Sequence, residues 1–136
     1  VDVAPLLELI GQGMIPVVAP IGGGPAGENY NVNADTAAGE IAAALHAEKL
    51  VFLTDVQGIM HDSADDASLL STLRVAEAGE LIEEGVIHGG MIPKIEASMK
   101  SVESGVSKTH IIDGRVPHAM LLAFLTHEGI GTQSIQ

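Results

Sequence analysis

The run Gly89-Gly90-Met91-Ile92-Pro93-Lys94 sets a cation at the end of a glycine turn, where Pro93 can open a helix. Proline pre-sets the first helical turn, and the free N–H groups there favour negative charge. The chain has 6 Lys+Arg against 18 Asp+Glu, a formal net charge of -12. In so acidic a chain Lys94 is the candidate for a phosphate contact; a surface lysine after a turn is the plainer alternative. A second constellation is Asn31-Val32-Asn33-Ala34-Asp35, two amides alternating in an extended loop before a carboxylate in the first turn of an Ala-rich helix. Helix capping accounts for Asn33 and Asp35 but leaves Asn31 free. Thr54-Asp55 follows an apolar run and can bind a nucleotide or start a turn. Gly22, Gly23 and Gly24 also follow an apolar run, but match neither the dinucleotide fingerprint nor the Walker pattern, and a plain turn explains them.

Other chemistries lack their residues. The six histidines (46, 61, 88, 110, 118 and 127) show no metal-ligand spacing and read mostly as surface residues. There is no cysteine and no GxSxG elbow, so covalent nucleophilic catalysis has no support. The absence of cysteine fits a reducing compartment. The acidic balance disfavours nucleic acid and anionic membrane as partners. No apolar run approaches the ~18 residues of a membrane span. With 46% hydrophobic residues and 2% aromatics, a chain of 136 residues can bury one aliphatic core.

The elements that must position these groups alternate. A helix capped by Asp2 carries Val3, Leu6, Leu7 and Ile10 and ends at Gly13. Ile15 to Ile21 reads as a buried strand, broken by Gly22 to Pro25, with a polar loop over 25–33. Ala34 to Ala47 reads as a helix and Lys49 to Leu53 as a second buried strand. Residues 61–68 read as an exposed acidic loop, and Leu69 to Leu73 is ambiguous. Helices are expected over Ala76 to Glu84, Lys94 to Glu103 (Ile95, Met99 and Val102 inward) and Pro117 to His127. Thr109 to Ile112 is a third strand, and the tail from Gly129 can add another. This alternation predicts an α/β fold, a mostly parallel open sheet sandwiched by helices, with ligands beyond the carboxyl ends of the strands.

Five segments, in this order and spacing, resemble the amino-acid kinase family, and within it the arginine-sensitive acetylglutamate kinases. They are Tyr30 to Ala38 (YNVNADTAA), Leu53 to Val56 with Gly58, Gly89 to Lys94, Ile111 to Arg115 (IIDGR) and Gly129 to Thr132 (GIGT). The resemblance covers the carboxyl-terminal half of such an enzyme, so the chain, which opens at Val1 in an apparent helix, is expected to be part of a longer protein. The family's other half supplies a phosphate-binding lysine, a glycine-rich loop and an arginine for the substrate carboxylate. The implied division is residues 1–48 as the end of an acetylglutamate-binding domain and 49–136 as a nucleotide-binding domain.

The implied reaction moves the ATP γ-phosphoryl to the side-chain carboxylate of N-acetylglutamate, in arginine biosynthesis in the cytoplasm. Lys94 then acts on the ATP side and Asp35 orients the active-site lysines. Asn31 and Asn33 fall in the substrate motif. Thr54, Asp55, Gly58, Met60, Val86, His88, Gly90 and Met91 fall in stretches lining the nucleotide site. Mg²⁺ is expected on the phosphates, without a protein metal cage. The arginine-sensitive branch further implies an effector site involving His118, Glu128 and Gly131. It also implies a homo-oligomer and, by analogy, the PII signalling protein as a partner. The tail Gln133-Ser134-Ile135-Gln136 departs from that branch's usual ending. Glutamate 5-kinase, aspartokinase and carbamate kinase are alternatives that the Asn31 to Asp35 motif disfavours. A non-catalytic nucleotide- or arginine-binding module is the alternative from another class.

Overall fold

A computed structural model describes residues 1–62, 64–125 and 130–136. The chain opens with helix α1 (Ala4–Gly11), then a small antiparallel hairpin of β1 (Ile21–Gly23) and β2 (Asn29–Asn31). Helix α2 (Ala34–Ala44) leads to β3 (Lys49–Thr54), and an exposed 3-10 turn (Asp66–Ser68) precedes β4 (Thr72–Arg74). Helices α3 (Val75–Glu83) and α4 (Met91–Glu103) follow, then β5 (Lys108–Asp113), α5 (Ala119–Leu125) and β6 (Thr132–Ile135). The main sheet runs β3-β5-β6-β4. β3 pairs β5 in parallel from Lys49↔Lys108 to Thr54↔Asp113, and β4 pairs β6 in parallel; β5 and β6 are antiparallel.

The expected α/β class with a parallel-dominated sheet therefore holds. The reason is visible in β5: Thr109 to Asp113 are all buried, as in a strand covered on both faces. Ile111 meets a core of Leu50, Phe52, Leu73, Ile87, Ile95 and Val106 on one face. On the other, His110 packs against Phe124 of α5, ring centroids 6.2 Å apart.

Several sequence expectations are corrected. Residues 14–19 form no strand, and the strand there is Ile21–Gly23, so Gly22 and Gly23 belong to β1 and break nothing. Ile15 and Val17 are 90% and 95% exposed, because no strand among the described residues pairs with that backbone. Helix α1 buries no side chain, and Leu7 and Ile10 stay exposed. Asp2 accepts from the Ala4 N–H at 3.0 Å but lies outside the cap position, which Val3 holds. α2 ends at Ala44, three residues early, and α5 is shorter than 117–127 at its start. α4 begins at Met91, not Lys94, which puts Pro93 third in the helix; proline is tolerated in that first turn because the N–H it lacks has no helical acceptor. The ambiguous 69–73 segment supplies β4. Val18 and Pro20 form an apolar groove of about 380 Å³ against Ala37 and Ile41 of α2 and Leu45 just after it.

His46, His61, His88 and His118 are exposed, as expected of most of the histidines, His110 is buried, and His127 lies outside the described residues. Burial first, then the charges of Lys49 and Lys108, lower the pKa of His110 below the ordinary value. Below about pH 6.5 the unfolded chain takes up a proton that the folded chain resists, so stability falls as pH drops through the depressed folded value. The expected result is that His110→Phe loses part of the stability difference between about pH 7.5 and about pH 5.5, read by chemical denaturation. An identical pH dependence would remove His110 as the cause.

Helices α2 and α4 pack closely and run in the same direction. Gly39 permits the approach: an added Cβ would stand 3.2 Å from the Ala97 carbonyl oxygen and 3.3 Å from the Ala97 Cβ. Ser101 Oγ donates to the Gly39 and Ala97 carbonyls at 3.3 and 2.6 Å. Lys100 pairs with Glu40 on the same seam. The two amino-terminal ends consequently meet, which decides the geometry of the site.

Candidate functional site

Lys94 lies in the first turn of α4, and Asp35 lies in the first turn of α2. Lys94 Nζ donates to Asp35 Oδ2 at 2.8 Å, with side chains 24% and 19% exposed. The carboxylate sits where the α2 dipole favours it, and Asn33 Oδ1 caps the same helix by accepting from the Thr36 N–H at 3.0 Å. That cap is worth ~1 kcal/mol and occupies the Asn33 oxygen. Asn31, in β2, is exposed.

Beside this junction lies a cleft of about 400 Å³, within the ~300–1,000 Å³ range of small-molecule sites. Thr54, Asp55, Gly58, Met60, Val86, His88, Gly90, Met91 and Lys94 all line it. Val56, Ile59 and Gly89 line it too; they lie inside or beside the stretches singled out from the sequence. The cleft sits beyond the carboxyl end of β3, as expected for such a sheet. Thr54 Oγ1 donates to the Val56 carbonyl at 2.8 Å and accepts from the Val56 N–H at 3.2 Å, turning the chain along the cleft edge. On the other side, Gly89 at φ 56 makes the turn into α4. His88 Nδ1 stands 3.2 Å from the Gly85 carbonyl oxygen, which favours the proton on Nδ1.

Charge is scarce in this site. Arg74 pairs with Glu77, Lys100 with Glu40 and Arg115 with Asp113, while Lys49 lies over the Phe124 ring at 4.7 Å. Among the described residues, Lys94 is the one cation lining the cleft. At the end of β5, beside Thr54, the Arg115 guanidinium holds the Asp113 carboxyl below its usual range. Asp55 is the carboxylate on the cleft. Among the described residues no three His, Asp or Glu side chains cluster to hold a metal ion.

The structure thus joins Lys94 to both groups: it lines the cleft and bonds to Asp35. Asn31 and Asn33 do not line the cleft. Of the effector candidates, His118 is exposed at φ 60, Gly131 is buried at φ 74, and Glu128 lies outside the described residues. No helix among the described residues is long and apolar enough to cross a membrane.

The chain is 58% identical over 127 residues to an acetylglutamate kinase of Moorella thermoacetica, covering 93% of this chain and 43% of that protein. It is 52% identical over all 136 residues to an acetylglutamate kinase of Symbiobacterium thermophilum, covering 46% of it. The chain therefore spans less than half the length of these relatives. A crystal structure of N-acetylglutamate synthase from Neisseria gonorrhoeae, complexed with coenzyme A and L-arginine, superposes with a TM-score of 0.85 at 32% identity. That match covers 98% of this chain and 30% of the synthase chain. The model of the amino acid kinase family matches residues 1–113, and with it this chain belongs to that family.

Proposed function

We propose that this chain is the part of an acetylglutamate kinase that holds the nucleotide and delivers its γ-phosphoryl to the side-chain carboxylate of N-acetylglutamate. The observation that carries the reading is the place of Lys94, on the cleft at one side and bonded to Asp35 at the other. Residues 49–136 form the nucleotide-binding part, and residues 1–48 close the acetylglutamate-binding part. The reaction takes place in the cytoplasm.

The chemistry suits these residues. A carboxylate of pKa ~4 is ionised at neutral pH, so no general base is required. One carboxylate oxygen forms a bond to the γ-phosphorus while the bond to the bridging oxygen of ADP breaks. Catalysis consists of aligning two anions and offsetting charge that spreads over the transferring group. The Lys94 ammonium and the facing amino termini of α2 and α4 supply positive potential at that point. Asp35 orients the ammonium through its 2.8 Å bond. A magnesium ion, when bound, neutralises phosphate charge. Asp55 is the carboxylate available to it, a donor set that fits an ion carried mainly on phosphate oxygens.

The test is calorimetric titration of this chain with Mg²⁺ and a non-hydrolysable ATP analogue. Saturable one-site binding, weakened by Lys94→Ala, supports the reading. No binding by a folded chain and none by the complete protein would overturn it. A second reading is arginine sensing near the carboxyl end of the chain, involving His118, Glu128 and Gly131. It is favoured by the likeness to a synthase crystallised with L-arginine. If added arginine leaves the rate and substrate affinities of the complete protein unchanged, that reading fails.

A further inference from the structure

The stretch from Thr54 to Met60 forms one wall of the cleft, and Ile59 near its end is held from outside the cleft. The Ile59 carbonyl accepts from the Leu70 N–H at 2.8 Å. The Ile59 N–H donates to Thr132 Oγ1 at 2.9 Å, across a sequence separation of 73. Thr132 is fully buried, Ile59 is 2% exposed, and Thr132 does not line the cleft. Water therefore cannot replace the hydroxyl, and an unpaired buried N–H is costly.

Two glycines make this bond possible. A Cβ on Gly58 would stand 2.7 Å from Thr132 Oγ1 and 3.1 Å from its backbone nitrogen, so only glycine lets the loop descend to that depth. A Cβ on Gly131 would stand 2.1 Å from the Ile111 carbonyl oxygen, so only glycine lets β6 begin directly against β5. The chain thus gives up side chains at two positions in a way that delivers the Thr132 oxygen to the Ile59 N–H.

We propose that Thr132 is a positioning residue for the cleft: its hydroxyl oxygen fixes Ile59, and through it the wall formed by Gly58 and Met60, in the shape that receives the nucleotide. This rests on the nucleotide reading of the cleft. The bond ties that wall to the first residue of β6, so the wall's position depends on how β6 seats against β5.

The experiment compares Thr132→Val, which keeps the shape and removes the acceptor, with Thr132→Ser, which keeps the oxygen, both in the complete protein. Hydrogen exchange at the Ile59 amide is read by NMR without nucleotide, and affinity for the Mg²⁺ complex of a non-hydrolysable ATP analogue is read by calorimetry. In Thr132→Val, exchange at Ile59 is expected to quicken and the nucleotide Kd to rise, each by about tenfold, with KM for ATP rising more than kcat falls. Thr132→Ser should stay near the parent in both. Unchanged Ile59 exchange or unchanged affinity in the valine variant overturns the proposal. So does a serine variant as impaired as the valine one, since the methyl group's packing would then be the cause. If the valine variant does not fold, Thr132→Ala takes its place under the same outcomes. A parent protein that binds no nucleotide would overturn the nucleotide reading and the proposal with it. Exchange at Ile59, measured without nucleotide, tells that failure from one of Thr132 itself.

Discussion

Lys94→Ala in the complete protein is expected to lower kcat by ~10²–10³ while leaving it folded, the scale found when one preorganised electrostatic donor is removed from a transition state. The drop is large because no other cation among the described residues lines the cleft. On this side of the site the developing charge would then face only the Asp55 carboxylate and backbone dipoles. Stability is expected to change by only about 1 kcal/mol, because the pair is partly solvated and screened. Asp35, left alone, keeps its favourable place in the first turn of α2. Steady-state kinetics beside a denaturation curve separates the two quantities. A kcat within a few-fold of the parent would take Lys94 out of the chemistry. Asp35→Asn refines the test, because it leaves the ammonium present but held by a neutral amide. It should cost less than Lys94→Ala if Asp35 orients the lysine, and as much if Asp35 itself meets the reacting groups.

Gly131→Ala should produce a large loss of stability, roughly 2–5 kcal/mol, combining the left-handed backbone penalty with overpacking. Gly131 sits at φ 74, where a side chain is strained in any surroundings. Its surroundings add to this: the nearest atoms to an added Cβ are the Ile111 carbonyl oxygen at 2.1 Å and Ile112 Cγ2 at 2.8 Å. The first is backbone of the central β5 and cannot rotate away. Relief requires β6 to move off β5, which would also draw Thr132 from Ile59. Gly85→Ala is the control. Gly85 has φ 78, but nothing lies within 4 Å of its added Cβ, so it should lose only the backbone part, ~1 kcal/mol. Urea denaturation of both variants decides. Equal small losses would mean that the β5–β6 edge yields easily.

Much of the cleft was legible before any coordinates, because its walls are local. β3 declares itself as the apolar run Leu50 to Leu53 and β5 as a short stretch ending in Ile111-Ile112, and the turn into α4 as a Gly-Gly pair followed by proline. The residues expected along the nucleotide stretches fall on one cleft because each is a short segment at the end of an element. Residues 15–18 illustrate the converse. A short apolar run reports a strand's capacity to be buried, but a strand also needs a neighbour to take its hydrogen bonds, and none of the described residues offers one.

Residue type and spacing alone determined the α/β class, the alternation of elements, the scarcity of cations and the candidacy of Lys94. Tertiary structure decided which groups meet. The Lys94–Asp35 bond spans a separation of 59, and its existence depends on α2 and α4 packing in parallel through Gly39. The placement of β6 between β5 and β4, antiparallel to the first and parallel to the second, and with it the reach of Thr132 to Ile59, likewise depends on pairings between distant segments. Periodicity and turn chemistry act over a few residues and carry no information about such partners. Those are set when buried polar groups and apolar faces find mutual satisfaction in the closed fold.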